Sequence, residues 1–219
     1  MDNKKHYVIT INRELGSGGR TIGEKLAQKL GISFYDKAVI QGLMDKFGMT
    51  VEQIEKLKSQ EKPSWWAEMQ QRCKSLLDSG HKEKPSTAEM FVTERQILES
   101  LASQESCVIA GRSAFLIFRE WKNSIHVFIQ ASTEHRIERL IEKQGLTLAA
   151  AVDTIDMVDE GREKYIKQFS DTSRYDTRNY DIVLSIDRLS VDDAVQVILD
   201  YVNFALRRKG VVSFSRFAL

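Results

Sequence analysis

The sequence contains little cysteine and little proline, and the shortage of cysteine excludes two classes of protein. Two cysteines, Cys73 and Cys107, stand among 219 residues, too few for the disulfide framework of a small secreted domain. The four histidines show no ligand spacing with each other or with the cysteines, which excludes a structural zinc site. The two prolines, Pro63 and Pro85, both fall in the middle of the chain. We expect a protein of the reducing cytoplasm.

Long apolar runs and an excess of one charge are also lacking. No stretch approaches the ~18 consecutive apolar residues of a membrane span, and the first residues lack the apolar run of a signal peptide. Lysine and arginine number 32 against 31 aspartates and glutamates, a net charge of +1, whereas nucleic-acid binders usually show a clear basic excess. We therefore expect neither membrane nor nucleic acid as a partner, and a homo-oligomer is left open.

Short apolar runs alternate with longer stretches of helical period, which predicts βαβ units and a parallel sheet flanked by helices. Ser132 and Ser190 are predicted helix N-caps. Residues ~45–104 are predicted as a helical insert in a single domain, whose core covers about 6–44 and 105–205. The runs that we interpret as strands are Tyr7–Ile11, Ile32–Tyr35, Cys107–Ala110, Ile125–Ile129 and Ile182–Ile186.

The strongest local signal is a strand that runs into a glycine-rich turn and then into a helical pattern. Four of the 12 glycines lie between residues 16 and 23, and three of them belong to the segment Arg13-Glu-Leu-Gly-Ser-Gly-Gly-Arg-Thr21. Backbone N–H groups converge on an anion only where side chains are absent, and a helix N-terminus adds partial positive charge. The segment predicts a phosphate-binding loop. A tight turn without a ligand is the alternative, but it does not need three glycines and an arginine.

The loop departs from the regular pattern G-x-x-x-x-G-K-[ST], which would place glycine at position 13 and lysine at position 19. Arg13 and Gly19 stand there instead. In this form the sequence resembles the cytidylate kinase-like family, P-loop proteins in which R-x-x-G-S-G-G-R replaces the regular loop. The resemblance continues through Tyr35-Asp36, Gly111-Arg112-Ser113 and Asn179-Tyr180-Asp181, and it covers residues 6–40 and 106–200.

The resemblance implies an α/β P-loop kinase fold with a five-stranded parallel sheet, a mobile lid over about 159–178, and ATP and Mg²⁺ as cofactors. In the lid, Asp159 and Arg162 match a D-x-x-R pair. The candidate residues are Arg13, Gly16, Ser17, Gly18, Gly19, Arg20, Thr21, Arg136 and Arg139 for the nucleotide; Asp36, Lys37 and Arg112 for the acceptor; Arg20, Arg162 and Asp36 for catalysis; and Thr21 for Mg²⁺.

Each candidate outside the loop has a purely structural alternative. Asp36 is equally well placed to cap the following helix. Arg136 and Arg139 lie on a glutamate-rich helix, where they suit ion pairs on a solvated face. The same alternative holds for Asp159 and Arg162. Arg112 is favoured for a site by its position after a buried strand, at the edge where α/β sheets bind ligands.

The predicted function is ATP-dependent phosphoryl transfer to a nucleoside monophosphate or another small acceptor. Ser113 replaces the aspartate of the G-R-D motif and Lys37-Ala38 replaces a hydroxyl, so a small-metabolite kinase of the shikimate or gluconate type is an alternative. Because Gly19 carries no charge, a second alternative is a protein that binds a nucleotide or phosphate without catalysis.

The missing lysine at position 19 predicts a substitute cation. Arg20 is the nearest cation on the helix side, and arginine binds phosphate in a bidentate manner. Arg13 is the second candidate, from the strand side. Arg174 and Arg178 are further candidate arginines of the lid.

Overall fold

The computed structural model describes residues 6–36, 87–111, 113–208 and 210. The chain divides into two compact units, one of residues 1–36 and 98–219 and the other of residues 37–97. Of the second unit only residues 87–97 are described, and they are helical. The helical insert over about 45–104 therefore stays a prediction for most of its length.

Five parallel strands form one sheet in the first unit, which confirms the predicted number and direction of strands. Their order is β2-β3-β1-β4-β5, with β1 in the centre between β3 and β4. The loop that follows β1 therefore emerges at the middle of the carboxyl edge, where open α/β sheets bind ligands. The strands are β1 (Val8–Arg13), β2 (Ser33–Tyr35), β3 (Cys107–Ala110), β4 (Ser124–Gln130) and β5 (Ile182–Ser185).

The helices begin and end largely where local signals place them. The Ser132 hydroxyl accepts from the His135 amide at 3.3 Å, and the Ser190 hydroxyl accepts from the Asp193 amide at 3.1 Å, so both predicted N-caps are confirmed. None of the described helices is long and apolar enough to cross a bilayer. They are α1 (Gly19–Leu30), α2 (Thr87–Gln104), α3 (Ala114–Ile117), α4 (Thr133–Gln144), α5 (Leu148–Lys167) and α6 (Val191–Arg208).

Two apolar clusters hold the elements that surround the loop after β1. In the first, Ile22 and Leu26 of α1 pack with α6 against the central strands, and this burial fixes the start of α1 to the sheet. In the second, α4 and α5 pack on each other through Leu140 and Ile155, with Leu15 of the loop against them. The second cluster brings the middle of α5 to the loop.

Candidate functional site

The turn between β1 and α1 is a compact loop with two left-handed glycines. Gly16 and Gly18 have φ angles of +84° and +75°, which glycine adopts without a steric cost. The Ser17 hydroxyl donates to the Glu14 carbonyl at 2.9 Å. The Ile22 amide bonds to the Gly18 carbonyl at 3.1 Å, and the amides before it have no partner within the helix. The backbone therefore has the form of an anion cradle.

Gly16 has no room for a side chain. A Cβ at this position would lie 2.7 Å from the Arg136 carbonyl oxygen and 2.9 Å from the Arg136 Cα. These are backbone atoms of α4, so no rotation of a side chain would relieve the contact. The loop backbone therefore lies directly against the first turn of α4.

One buried carboxylate joins the loop to three arginines. Asp159 of α5 is 6% exposed and accepts from the Leu15 amide at 3.1 Å. It also pairs with Arg136, with Arg162 at 3.0 Å and with Arg174 at 3.1 Å. Charge-assisted bonds of this kind compensate the desolvation of a buried carboxylate. Asp159 thus connects α4, α5 and the segment after α5 to the loop.

The same three arginines bond to carbonyl groups at the start of the loop. Arg136 Nε donates to the Leu15 carbonyl at 2.7 Å. Arg162 Nη1 donates to the Arg13 carbonyl at 3.0 Å, and Arg174 Nη2 donates to the same oxygen. Arg174 is 1% exposed, so it belongs to the interior of the site. The structure thus brings two predicted site residues, Arg136 and Arg162, to the loop, where Arg136 bonds to protein groups.

Arg20 and Asp36 form an ion pair between α1 and the end of β2. Arg20 Nε donates to Asp36 Oδ2 at 2.6 Å. The Asp36 carboxylate is buried, whereas the Arg20 side chain is 63% exposed. The structure thus brings these two candidates together. Because the Arg20 Nε–H is directed to a carboxylate, a phosphate contact of Arg20 in place of a lysine stays a prediction.

Thr21 and Arg139 meet at the first turn of α1. Arg139 Nη2 is 3.5 Å from Thr21 Oγ1, and Arg139 Cζ is 3.3 Å from the place of a Cβ at Gly18. Arg139 therefore lies beside the loop glycines. The described part of the chain holds no group of three or more histidines, cysteines or acids suited to a metal. A Mg²⁺ ion here would depend on phosphate oxygens, water and Thr21.

Positive charge exceeds negative charge around the loop. Burial, and then the charges of Arg162 and Arg174, lower the pKa of Arg13 to about 10. Burial and the charge of Arg174 likewise lower the pKa of Arg162. Asp36 and Asp159 offset these effects only in part, and a bound anion would add counter-charge. The described arginines here are Arg13, Arg20, Arg136, Arg139, Arg162 and Arg174, and the carboxylates are Glu14, Asp36 and Asp159.

Two candidates for the acceptor, Lys37 and Arg112, lie outside the described residues. The residues on either side of Arg112 both have a left-handed backbone: Gly111 has a φ of +79° and Ser113 a φ of +54°. A left-handed residue other than glycine is uncommon. Arg178, a candidate lid arginine, is 89% exposed and pairs with Asp176 at 2.7 Å, so the structure does not bring it to the loop.

Glu14 is a site residue that we did not predict. Its carboxylate accepts from the Ala131 amide at 3.1 Å and lies 3.6 Å from Arg136 Nη1. It therefore joins the loop to the end of β4 and to α4. The available signal was its place inside the loop motif, next to Arg13.

A family model for the cytidylate kinase-like family matches residues 8–188. The chain belongs to this family. The match includes the loop, Asp36 and the arginines that surround the loop, and it confirms the resemblance found in the sequence. With the five-stranded parallel sheet, it gives this family member the predicted P-loop kinase fold.

Several relatives are similar to this family member over nearly their whole length. The cytidylate kinase of Pyrobaculum calidifontis is 22% identical over 208 residues, which are 94% of this chain and 98% of the relative. That of Methanopyrus kandleri is 22% identical over 203 residues, or 92% and 96% of the two chains.

Two solved structures share the fold. A protein of Eubacterium ventriosum has a TM-score of 0.67 at 22% identity, over 90% of this chain and 99% of that one. A protein of Thermus thermophilus has a TM-score of 0.52 at 15% identity, over 92% and 98%. At these identities the likeness shows the fold alone.

Proposed function

We propose that this cytidylate kinase-like protein transfers the γ-phosphoryl group of ATP to a nucleoside monophosphate or another small acceptor. The observation that carries the proposal is the loop after β1, whose left-handed glycines and surplus of arginines suit a polyphosphate. Relatives named cytidylate kinase favour a nucleoside monophosphate as acceptor. A cytoplasmic reaction is part of the proposal, and the low cysteine content supports it.

Phosphoryl transfer requires positioning and charge neutralisation more than covalent chemistry by the protein. In this proposal the loop amides bind the phosphates, and Arg139 and Arg162 neutralise the charge that develops during transfer. Thr21 is the side chain that would contact Mg²⁺, which supplies Lewis-acid polarisation of the phosphate when bound.

The acceptor belongs, in this proposal, near the ion pair of Asp36 and Arg20. Asp36 is the buried member, at 2.6 Å from Arg20 Nε. Its carboxylate can orient a hydroxyl of the acceptor, and for an acceptor that reacts through a hydroxyl it can also accept the proton. Lys37 and Arg112 complete the acceptor site as proposals from the sequence.

The test is an acceptor panel with ATP and Mg²⁺, in which ADP and the phosphorylated product are measured. CMP, dCMP, UMP, AMP, GMP, shikimate and gluconate are compared at equal concentration. We expect product from a nucleoside monophosphate. If only shikimate or gluconate gives a product, the acceptor is a small metabolite and not a nucleoside monophosphate.

A second candidate is a protein that binds nucleotides without turnover. It is favoured by Gly19, which leaves the position of the usual lysine without charge. Calorimetric binding of ATP with Mg²⁺, together with no product from any member of the panel, would decide for this candidate.

A further inference from the structure

The guanidinium of Arg13 has no hydrogen-bond acceptor in the part of the chain that the structure describes. Its backbone amide donates to Asn12, and its carbonyl accepts from Arg162 and Arg174. The side chain, mostly out of solvent, donates to none of the described residues. Guanidinium donors without acceptors carry a desolvation penalty, which an anion bound beside them would remove.

Two glycines provide the space that Arg13 occupies. A Cβ at Gly19 would lie 2.6 Å from Arg13 Cβ and 2.9 Å from Arg13 Cγ. A Cβ at Gly111 would clash with Arg13 Nη1 and lie 3.1 Å from Cζ. The contact at Gly19 involves the base of both side chains, so rotation about χ angles does not relieve it. A lysine at position 19 and an arginine at position 13 therefore exclude each other.

We propose that Arg13 is the cation that binds the nucleotide phosphates in this protein, and that Gly19 is glycine because Arg13 occupies its side-chain space. The proposal rests on the proposed function. Arg13 runs from Gly19, at the first turn of α1, to Gly111, just after β3, which places its guanidinium at the carboxyl edge of the sheet. There it can donate two parallel N–H bonds to phosphate.

The electrostatics distinguish this role from a structural one. Burial and the neighbouring charges of Arg162 and Arg174 disfavour the protonated form of Arg13. Among the nearby charges only Asp36 favours the protonated form, and its effect is smaller than those of Arg162 and Arg174, so a bound anion would add the counter-charge that Arg13 lacks. An uncharged side chain of similar length should therefore keep the fold and lose the ligand.

The first test compares Arg13→Met, Arg20→Met and the control Lys25→Met, whose lysine pairs with Asp192 on the surface. Calorimetry gives the Kd of ATP and of tripolyphosphate, each with Mg²⁺, and thermal unfolding gives Tm. We expect Arg13→Met to weaken both ligands by roughly 10- to 100-fold without a lower Tm, and the control to match wild type. Binding by Arg13→Met within about twofold of wild type, or a larger loss in Arg20→Met, would overturn the proposal.

The second test exchanges the two positions. Arg13→Gly alone should weaken ATP binding as Arg13→Met does, and Gly19→Lys alone should lower Tm because of the contact at the base of Arg13. The double variant should recover at least about tenfold in Kd over Arg13→Gly. If the double variant recovers no ATP affinity over Arg13→Gly, the exchange of the two cations is wrong. If Arg13→Met lowers Tm as much as Gly19→Lys does, Arg13 has a structural role.

The two proposals fail separately. If wild type binds ATP and its affinity does not depend on Arg13, only the assignment of the cation is wrong. If wild type binds tripolyphosphate through Arg13 but makes no product with any acceptor, only the proposed transfer is wrong. If wild type binds neither ligand, both are wrong.

Discussion

At the residue scale, the shape of the loop depends on Asp159. Asn at this position would keep the size of the side chain but remove the charge that faces Arg136, Arg162 and Arg174. Buried cations would then lack their counter-charge, which costs about 3–5 kcal/mol. We expect Asp159→Asn to lower the free energy of unfolding by about this amount in urea titrations.

The matched control for that change is Asp192→Asn. Asp192 pairs with Lys25 at 2.8 Å, and both side chains are well exposed. A surface pair contributes up to ~1 kcal/mol, so this variant should unfold close to wild type. Equal losses in the two variants would show that the buried cluster contributes no more than a surface pair.

At the element scale, the contact of the loop with α4 limits which side chains the loop can carry. Gly16→Ala introduces a Cβ 2.7 Å from the Arg136 carbonyl oxygen at a φ of +84°. Gly145→Ala, at a φ of +67° with nothing within 4 Å, carries the backbone cost alone, about 1–2 kcal/mol. We expect Gly16→Ala to lose at least ~1 kcal/mol more and to weaken ATP binding, as measured by urea unfolding and calorimetry. Equal losses would mean that the loop and α4 separate without cost.

The segment over about 159–178 is the second element with a testable role. Its Arg162 and Arg174 bond to the loop carbonyl of Arg13, so a phosphate in the loop would add acceptors for the same arginines. We expect the amides of residues 168–178 to exchange more slowly with ATP and Mg²⁺ than without, as for a lid. Amides of α6 serve as the internal control. Equal exchange of the segment in both states would contradict a lid.

At the scale of the whole molecule, ligand binding should be visible as stability. A ligand that binds only the folded state at 100 times its Kd adds ~2.7 kcal/mol. For a chain of 219 residues this raises Tm by roughly 5–10 °C. We expect this shift with ATP and Mg²⁺ in calorimetric unfolding, a smaller one after removal of Mg²⁺ by EDTA, and none with adenosine. A shift of the same size with adenosine would locate the binding energy in the base and sugar instead of the phosphates.

The order of the sheet explains why distant segments meet at one site. With β1 central, the segments after β1, β3 and β4 all leave the same edge. The loop therefore lies between the turn at Gly111 and the start of α4. The proposed site lies where these three connections converge.

The sequence by itself determined the five strands, two helix caps and the loop. Strand and helix positions follow from the period of apolar residues, and the caps Ser132 and Ser190 follow from local hydrogen bonds. The loop follows from glycines whose left-handed backbone is a local property. Each of these signals lies within a few residues of the element that it specifies, so it can be recognised in the sequence alone.

Only the tertiary structure decided which charges meet. Asp159 and the Leu15 amide are 144 residues apart in the chain, and Arg20 bonds to Asp36 rather than extending freely over the loop. Arg13, read from the sequence as the second choice for the missing lysine, is the one whose side chain fills the space left by Gly19 and Gly111. The residues next to an arginine in the sequence do not show whether its side chain pairs with a carboxylate, donates to a backbone carbonyl or binds an anion. Its partner is selected by long-range packing, which no local pattern encodes.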